Sequence, residues 1–433
     1  MMLRLSTSAE RMVVLGVAIL IAAFLCFFSM RVAWAAHLAA LGTEFGLEHA
    51  TRLEPDNSEY WLELGRFWQY NLDNSDSQRA IAAYRKALAN DPHSAEAYIN
   101  LATAYESEND TAAARENFLR AKKAYPVSAE VSWRVGNFFL RQGDLDDAFH
   151  EIRESVQADP SRGAEAFSRS IRVEPNIKTV LDRALPDSPT VYLDIIHDLS
   201  DEGRTTEALI VWDRLVATQP TLSLLEIYPL VNALRSKREY TEATRVWQLG
   251  VRFAGLGNLG DPATSVLWDG GFESGASNLG YSWNYSSNAR GVQIQRDAKE
   301  KHSGAFSLRL TFDGKSDVNF ADVCHSVPVT PLVGYEFSAW VQTRDLTSDQ
   351  GVRFRIQSAN GGTPILTPET HGTQAWTQME IPWTADANTH EAQVCIVRLP
   401  SDQPDNRIRG TAWLDDVALV PSAAAGSSGS AKP

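Results

Sequence analysis

The sequence predicts a multidomain chain: a transmembrane helix, then an all-α helical-repeat solenoid, then an all-β sandwich. Three observations predict this order: an uncharged apolar run near the N-terminus, a helical pattern that repeats every 34 residues, and short alternating strands separated by turn residues. We place the boundaries as follows: a cytoplasmic leader 1–11, a transmembrane segment 12–34, helical repeats 36–257, a joint 258–265, a sandwich 266–421 and a disordered tail 422–433.

Composition excludes several classes of protein. Of the 433 residues, 44% are hydrophobic and 22% are charged, as in folded globular chains. Forty Lys and Arg against 54 Asp and Glu give a net charge of −14, and no basic stripe is present, so we expect no nucleic-acid partner. Three cysteines are too few for a disulfide scaffold or a multi-cysteine zinc protein.

The apolar run extends from Met12 to Met30 without a charged residue, which as a helix nearly matches the hydrocarbon thickness of a bilayer. Arg4 and Arg11 precede it, so the positive-inside tendency predicts a single-pass membrane protein whose bulk is extracytoplasmic, either periplasmic or extracellular. A cleaved signal peptide is the alternative, because Ala33-Trp34-Ala35 fits a small-x-small cleavage site.

Two consecutive segments of 34 residues, Ala95–Ser128 and Ala129–Arg162, show the repeat. They have small, aromatic and proline residues at the same offsets. Small residues such as Gly65 and Gly136 let paired helices approach closely, and prolines end each second helix. This pattern resembles the tetratricopeptide-repeat family over His49–Gly257, apart from an irregular stretch between Gly163 and Ser188.

The resemblance implies a concave face that binds a protein segment. Projecting the pattern places these residues on that face: Arg66, Tyr70, Thr103, Trp133, Asn137, Arg141 and His197. Among them we expect Trp133 to be the main contact. The alternative is that these side chains are solvated or contact the downstream domain.

After Gly255 the composition changes to Gly, Asn, Asp and Ser with alternating β-branched and aromatic residues, which is typical of a sandwich. The predicted strands are Val292–Gln295, Ser307–Phe312, Val323–Val329, Tyr335–Thr343, Val352–Ser358, Thr377–Pro382, Ala392–Leu399 and Thr411–Val420.

Three motifs refine this prediction: Asp269-Gly-Gly-Phe-Glu273, His302-Ser-Gly-Ala-Phe-Ser-Leu308 and Trp413-Leu-Asp-Asp-Val417. Together they resemble the galactose-binding-like, jelly-roll carbohydrate-binding modules, although Asp269 replaces the usual opening Asn. The resemblance implies a structural calcium ion held by the carboxylates of Glu273 and Asp415, since hard oxygen ligands suit Ca²⁺. Otherwise, these carboxylates accept hydrogen bonds from backbone N–H groups. No other cofactor is expected.

Alternation along the strands predicts a polysaccharide-binding surface, because sugars need exposed aromatic faces and planar polar groups. Outward positions on two strands provide the candidates: Glu336, Trp340, Gln342, Arg353, Arg355 and Gln357. We expect the second strand's three residues to lie beside Trp340. The alternative is a hydrophobic contact with the solenoid. Trp283 and Trp376 are expected in the core.

Cys324 and Cys395 lie on different predicted strands and would form a disulfide in an oxidising compartment; two buried free thiols are the alternative. Cys26 belongs to the membrane segment.

The candidate catalytic motifs lack the neighbouring residues or elements that each of them needs. Gly255–Gly260 matches the glycine pattern of dinucleotide sites but follows a helical repeat, and Gly314-Lys315-Ser316 lacks the first glycine of a phosphate loop. Asp415 and Asp416 are adjacent on a strand, so they point to opposite faces and cannot flank one glycosidic bond. We therefore expect no enzyme.

The sequence thus favours a non-catalytic, membrane-anchored scaffold with a protein partner and a polysaccharide ligand, acting by analogy in envelope or exopolysaccharide assembly. A purely protein-binding assembly factor with a structural sandwich is the alternative. The fifth repeat is degenerate and has no cap helix, so we also expect the sandwich to cap it and bury part of Trp247 or Phe253.

Overall fold

The computed structural model describes residues 7–73, 75–259, 264–404 and 406–422. It divides into two compact units, Met1–Asp187 and Ser188–Pro433. The last helices of the repeat region therefore belong to the same unit as the sandwich.

The described residues of the first unit form helices and the turns between them, without a strand. Its helices are α1 (Ser8–Ala40), α2 (Glu44–Leu53), α3 (Ser58–Tyr70), α4 (Ser77–Asn90), α5 (Ala95–Ser107), α6 (Thr111–Ala124), α7 (Ala129–Gln142), α8 (Leu145–Ala158), α9 (Gly163–Val173) and α10 (Ile177–Ala184). The stretch that we expected to be irregular forms α9 and α10. Both are amphipathic, but with 11 and 8 residues they are shorter than α3–α8, which have 13 or 14 residues each. This explains why the 34-residue pattern does not detect them.

Helix α1 contains the apolar run and continues beyond it. Residues Arg11–Ala40 are long and apolar enough for a membrane span or a signal sequence. The end of α1 packs on α2, where Ala35 and Leu38 are buried. A Cβ on Gly46 would lie 2.3 Å from the Leu38 carbonyl oxygen, so only glycine permits this approach. The apolar helix therefore leads directly into the helical repeats.

Small residues do bring the paired repeat helices together. A Cβ on Gly65 would lie 2.4 Å from the Tyr84 ring, and one on Gly136 would lie 2.9 Å from Ile152. Side-chain caps start the helices: Ser94 accepts from the Ala97 N–H at the start of α5.

The second unit begins with four helices: α11 (Pro189–Asp201), α12 (Thr205–Ala217), α13 (Leu224–Ser236) and α14 (Tyr240–Phe253). Eleven strands follow in the described residues: β1 (Trp283–Asn284), β2 (Asn288–Ala289), β3 (Val292–Asp297), β4 (Ser307–Asp313), β5 (Phe320–Pro328), β6 (Gly334–Leu346), β7 (Arg353–Ser358), β8 (Ile365–Leu366), β9 (Gly372–Thr384), β10 (Glu391–Arg398) and β11 (Arg409–Pro421).

The strands form two antiparallel sheets, which confirms the predicted sandwich. The five-stranded sheet has the order β1-β5-β10-β7-β8, and the six-stranded sheet has the order β2-β3-β4-β11-β6-β9. One continuous core of alternating residues fills the space between them, including Phe337, Phe354 and Leu414. Trp283 lies in this core as expected.

Candidate functional site

The candidate protein-binding residues of the first unit lie on the first helices of successive repeats. Arg66 on α3 pairs with Glu63 at 2.6 Å and with Glu96 on α5. Arg141 on α7 pairs with Glu106 on α5, through bonds of 2.7 and 2.8 Å. These contacts join α3 to α5 and α5 to α7, so the residues follow one side of the solenoid.

Two other candidates of this group differ in accessibility. Tyr70 is 59% exposed at the end of α3. Thr103 is half-buried, and its hydroxyl donates to the Ile99 carbonyl oxygen at 2.9 Å within α5. Tyr70 is therefore the more accessible contact.

The ring of Trp133 is not open to a ligand. The indole is 8% exposed, and the guanidinium carbons of Arg169 and Arg162 lie 5.1 and 5.6 Å from its ring centroid. Asn137 is buried beside it; its amide donates to the Trp133 carbonyl oxygen at 2.7 Å and accepts from Arg169 at 2.8 Å. The arginines thus form the outer layer here, and a ligand would meet them before the indole.

His197 belongs to the second unit. It is exposed on α11, and its ring nitrogen lies 3.5 Å from a carboxylate oxygen of Asp201.

The six glycan-binding candidates do not form one surface. Glu336, Trp340 and Gln342 lie on β6 in the six-stranded sheet, whereas β7, with the other three, lies in the five-stranded sheet. The chain crosses between sheets after β6, so the outward faces of these two strands point away from each other. The expectation that Trp340 lies beside Arg353, Arg355 and Gln357 is therefore wrong.

On the six-stranded sheet, the β3–β4 loop covers Trp340. The imidazole of His302 stacks on the indole with centroids 3.9 Å apart and an interplanar angle of 14°. Trp376, expected in the core, is half-exposed on this outer face, and its ring lies 5.7 Å from that of His302. One face of Trp340 is therefore already occupied, while Trp376 remains accessible.

His302, Ser303 and Asp416 contain the side chains of a hydrolase triad but not its order. His302 Nδ1 lies 2.6 Å from one oxygen of Asp416, and the Ser303 hydroxyl donates to the other at 2.6 Å. A triad needs the imidazole between hydroxyl and carboxylate, so that it can take the hydroxyl proton. Here the carboxylate is in the middle, and Ser303 is not activated.

On the five-stranded sheet, Arg353 pairs with Glu369 at 3.1 Å. Gln357 stands directly opposite Gln393 of β10 and donates to the Gly362 carbonyl oxygen at 3.0 Å. Arg355 lies beside the disulfide, with a nitrogen 3.7 Å from Cys395 Sγ. This outer face carries planar polar groups.

The sulfurs of Cys324 on β5 and Cys395 on β10 are joined in a disulfide, with Cα atoms 4.1 Å apart. The two residues are directly opposite each other in the antiparallel register. Cys26 is a free, exposed thiol on α1.

Glu273 and Asp415, the candidate calcium ligands, accept hydrogen bonds from the backbone. Glu273 accepts from the Ala305 N–H at 2.8 Å, and Asp415 accepts from those of His302 and Asp416 at 2.8 Å each. Burial raises the pKa of Asp415 to about 6, although these hydrogen bonds act in the opposite direction and lower the pKa. Both oxygens of Asp415 face N–H donors, as the hydrogen-bonding alternative requires, and such donors do not fit a cation.

A cavity lies between α13 and the outer face of the five-stranded sheet. It measures about 380 Å³. Amide and hydroxyl side chains dominate its sandwich wall: Asn278, Ser282, Asn284, Ser326 and Gln393, with Tyr228 and Arg235 from α13 opposite them.

The sandwich caps the last repeat, as we expected from the sequence. Trp247 of α14 is 3% exposed and packs edge-on against Trp268 and Tyr281, with centroids 5.6 and 6.1 Å away. Gly280 has a φ of +54°, and a Cβ there would lie 2.5 Å from the Trp247 ring. The junction is therefore closely packed around this tryptophan.

An ion pair closes the same junction. Arg235 of α13 donates to both carboxylate oxygens of Glu391 on β10, at 2.9 and 2.5 Å. Burial lowers the pKa of Arg235, but the hydrogen bond to Glu391 and the negative charge of Glu391 outweigh this effect. The pKa of Arg235 is therefore held above its usual value. The sequence could not have revealed this pair, because its members are far apart along the chain.

Comparisons with known proteins agree with the helical part. The sequence model of the tetratricopeptide repeat matches residues 69–129 and 101–163, which confirms these repeats in the middle region. The general transcriptional corepressor ssn6 of Schizosaccharomyces pombe is 26% identical over 145 residues, and the match covers 29% of this chain and 13% of that protein.

Among solved structures, PilF of Pseudomonas aeruginosa is 20% identical, with 46% of this chain and 93% of that chain covered at a TM-score of 0.28. The xylan-binding domain CBM22-1 of Paenibacillus barcinonensis Xyn10C is 16% identical, with 38% of this chain and all of that chain covered, also at 0.28.

Proposed function

We propose that this chain is a non-catalytic scaffold, anchored in a membrane by α1 with its bulk outside the cytoplasm, in envelope or exopolysaccharide assembly. Its helical repeats bind a segment of a partner protein, and its sandwich binds polysaccharide. The observation that carries the proposal is the combination in one chain of tetratricopeptide repeats, an apolar N-terminal helix and a two-sheet sandwich with a polar cavity.

The repeats support the protein-binding part. The side that carries Arg66 and Arg141 has charged groups already held in ion pairs, and the exposed Tyr70 lies one helical turn after Arg66 on α3. A partner segment that carries carboxylates can exchange these pairs at little cost, because exposed ion pairs contribute at most about 1 kcal/mol each.

The polar cavity supports the polysaccharide part. Its amides, including Asn284 and Gln393, each offer a hydrogen-bond donor and an acceptor in one plane, as neighbouring sugar hydroxyls require. Tyr228 offers an aromatic wall across from them. We therefore place the glycan on the five-stranded sheet, rather than on Trp340, whose ring is covered by His302.

The test is affinity electrophoresis of the purified protein in gels that contain a panel of neutral and acidic polysaccharides. We expect retardation by at least one polysaccharide, and its loss in Gln393→Ala, because this amide lines the cavity. Trp340→Ala, on the other sheet, is the matched control and should bind normally. Binding that survives Gln393→Ala and is lost in Trp340→Ala would assign the glycan to the six-stranded sheet.

A purely protein-binding assembly factor is the second candidate, and the junction favours it. The sandwich already buries Trp247 and pairs Glu391 with Arg235, so covering the last repeat is a sufficient structural role. No retardation by any polysaccharide in the panel would leave this function in place of the first.

A further inference from the structure

A second cavity adjoins α14 on the sandwich side and differs from the polar one in chemistry. It measures about 960 Å³ and is bordered by a smaller cavity of about 520 Å³; both are lined by Tyr240 and His390, whose rings stack with centroids 5.5 Å apart. We name the two cavities together the α14 groove. Apolar side chains line much of it: Val251, Val266, Pro328, Val329, Pro331, Val333 and Pro421.

Among the described residues that line the groove, the permanently charged side chains are all positive. Arg245 and Arg252 line the larger cavity and Arg238 the smaller one, and none of the described residues lining either cavity is Asp or Glu. In a chain of net charge −14 this is a local reversal. Arg245 is paired with Asp213 and Glu242, but Arg252 and Arg238 are exposed, and no described carboxylate pairs with either of them.

The distance between the two unpaired arginines predicts how long a segment that contacts both of them must be. Arg238 lies two residues before Tyr240, the first residue of α14, and Arg252 lies near the end of this helix. Fourteen residues at about 1.5 Å each separate them by roughly 20 Å. An extended peptide advances about 3.3 Å per residue, so roughly six residues span this distance.

We propose that the α14 groove binds an extended segment of a partner protein, with apolar side chains flanked by two carboxylates about six residues apart. The carboxylates pair with Arg238 and Arg252, and the apolar side chains contact the valines and prolines between them.

The larger cavity is also lined by aromatic side chains, but these are not open: Trp247, Trp268, Tyr281 and Tyr335 are buried, and Tyr240 stacks on His390. The lining therefore favours a peptide over a glycan, because sugars need open aromatic faces. The α14 groove belongs to the second unit, whereas Arg66 and Arg141 belong to the first, so the proposal does not depend on the proposed function.

The experiment uses the full chain in detergent and an array of labelled heptapeptides. Each carries Asp or Glu at both ends and combinations of Leu, Val, Pro and Tyr between them. We expect a subset to bind, with affinity that falls as salt rises because the pairing is exposed. Arg252→Glu should weaken binding about tenfold or more, whereas Arg290→Glu, an exposed arginine outside the groove, should leave it within about twofold.

A steric variant gives an independent readout. Thr330 is exposed on the groove wall, so Thr330→Trp should keep the fold, checked by its melting temperature, and block the peptide. The proposal is overturned if no peptide binds, or if binding is unchanged in both Arg252→Glu and Thr330→Trp. It is also overturned if binding appears only after residues 423–433 are removed, or if polygalacturonate binds and no peptide does.

Discussion

Arg235 and Glu391 show how single residues hold the second unit together. Both side chains are largely buried, at 21% and 10% exposure, and they are joined by two hydrogen bonds. Removing one member leaves the other charge buried without its partner, which typically destabilises a protein by about 3 to 5 kcal/mol.

We therefore predict that Arg235→Ala and Glu391→Ala each lower the free energy of unfolding of the second unit by about 3 kcal/mol. The double variant should lose clearly less than the sum, because it leaves no unpaired charge. Urea unfolding of the four proteins measures this coupling. Strictly additive losses would show that the pair is not coupled across the junction.

His325 is a buried residue whose protonation depends on folding. It is fully buried on β5, with Nε2 2.9 Å from the Trp268 carbonyl oxygen. Burial lowers its pKa to about 4, from an ordinary value of 6.5. Between these values the unfolded chain binds a proton that the folded chain does not, so the stability is fully present above about pH 6.5 and decreases as the pH falls towards 4.

We predict that His325→Gln removes this dependence. Between pH 7 and pH 5 the wild type should lose about 2 kcal/mol of folding free energy more than the variant, at about 1.4 kcal/mol per pH unit. Urea unfolding at both pH values is the measurement. His371→Gln, at an exposed position, is the control and should keep the wild-type slope. An equal slope in all three proteins would contradict the assignment.

Strands show how far the sequence determines the fold. All eight predicted strands exist, because alternation identifies which residues of a strand face inward. Alternation does not show which sheet a strand joins, and for this reason the sequence wrongly predicts β6 and β7 on one surface. Alternation does not detect β1, β2 and β8, because each has only two residues, too few to show a period.

For the candidate sites too, the sequence predicts the positions of residues along an element but not the contacts between elements. Helical periodicity located Arg66 and Arg141, but it could not show that they are ion-paired or that arginines cover Trp133, since those contacts join different repeats. The sequence predicts Trp376 in the core, whereas a register shift in the β6–β9 ladder accompanies its outward position near His302.

The disulfide links neighbouring central strands of the five-stranded sheet. Its cysteines are 71 residues apart, and a closed loop of that length stabilises a fold by about 4 kcal/mol in the chain-entropy description. We predict that Cys324→Ser with Cys395→Ser lowers the unfolding free energy of the sandwich by this order, and that reductant does the same to the wild type. Cys26→Ser is the control. A wild type that is insensitive to reductant would show that the bond contributes little.

At the scale of the whole molecule, the structure joins the last helical repeats to the sandwich in one compact unit, Ser188–Pro433. Trp247, Trp268 and Tyr281 form the contact between α14 and the sandwich. A solenoid whose final helix pair is uncovered exposes apolar surface, and the sandwich takes the place of a cap helix here. Both the polar cavity and the α14 groove exist only because of this arrangement.

Cutting the chain at the junction tests this claim most directly. A protease site introduced at Gly257-Asn258, which are exposed, would separate the repeats from the sandwich. Calorimetry of the intact and the cut, separated fragments would then be compared. We predict that the repeat fragment melts at a lower temperature than in the intact protein or aggregates, because Trp247 loses its cover. Two fragments that melt as they do in the intact chain would contradict the account, since the sandwich would then be an independent domain.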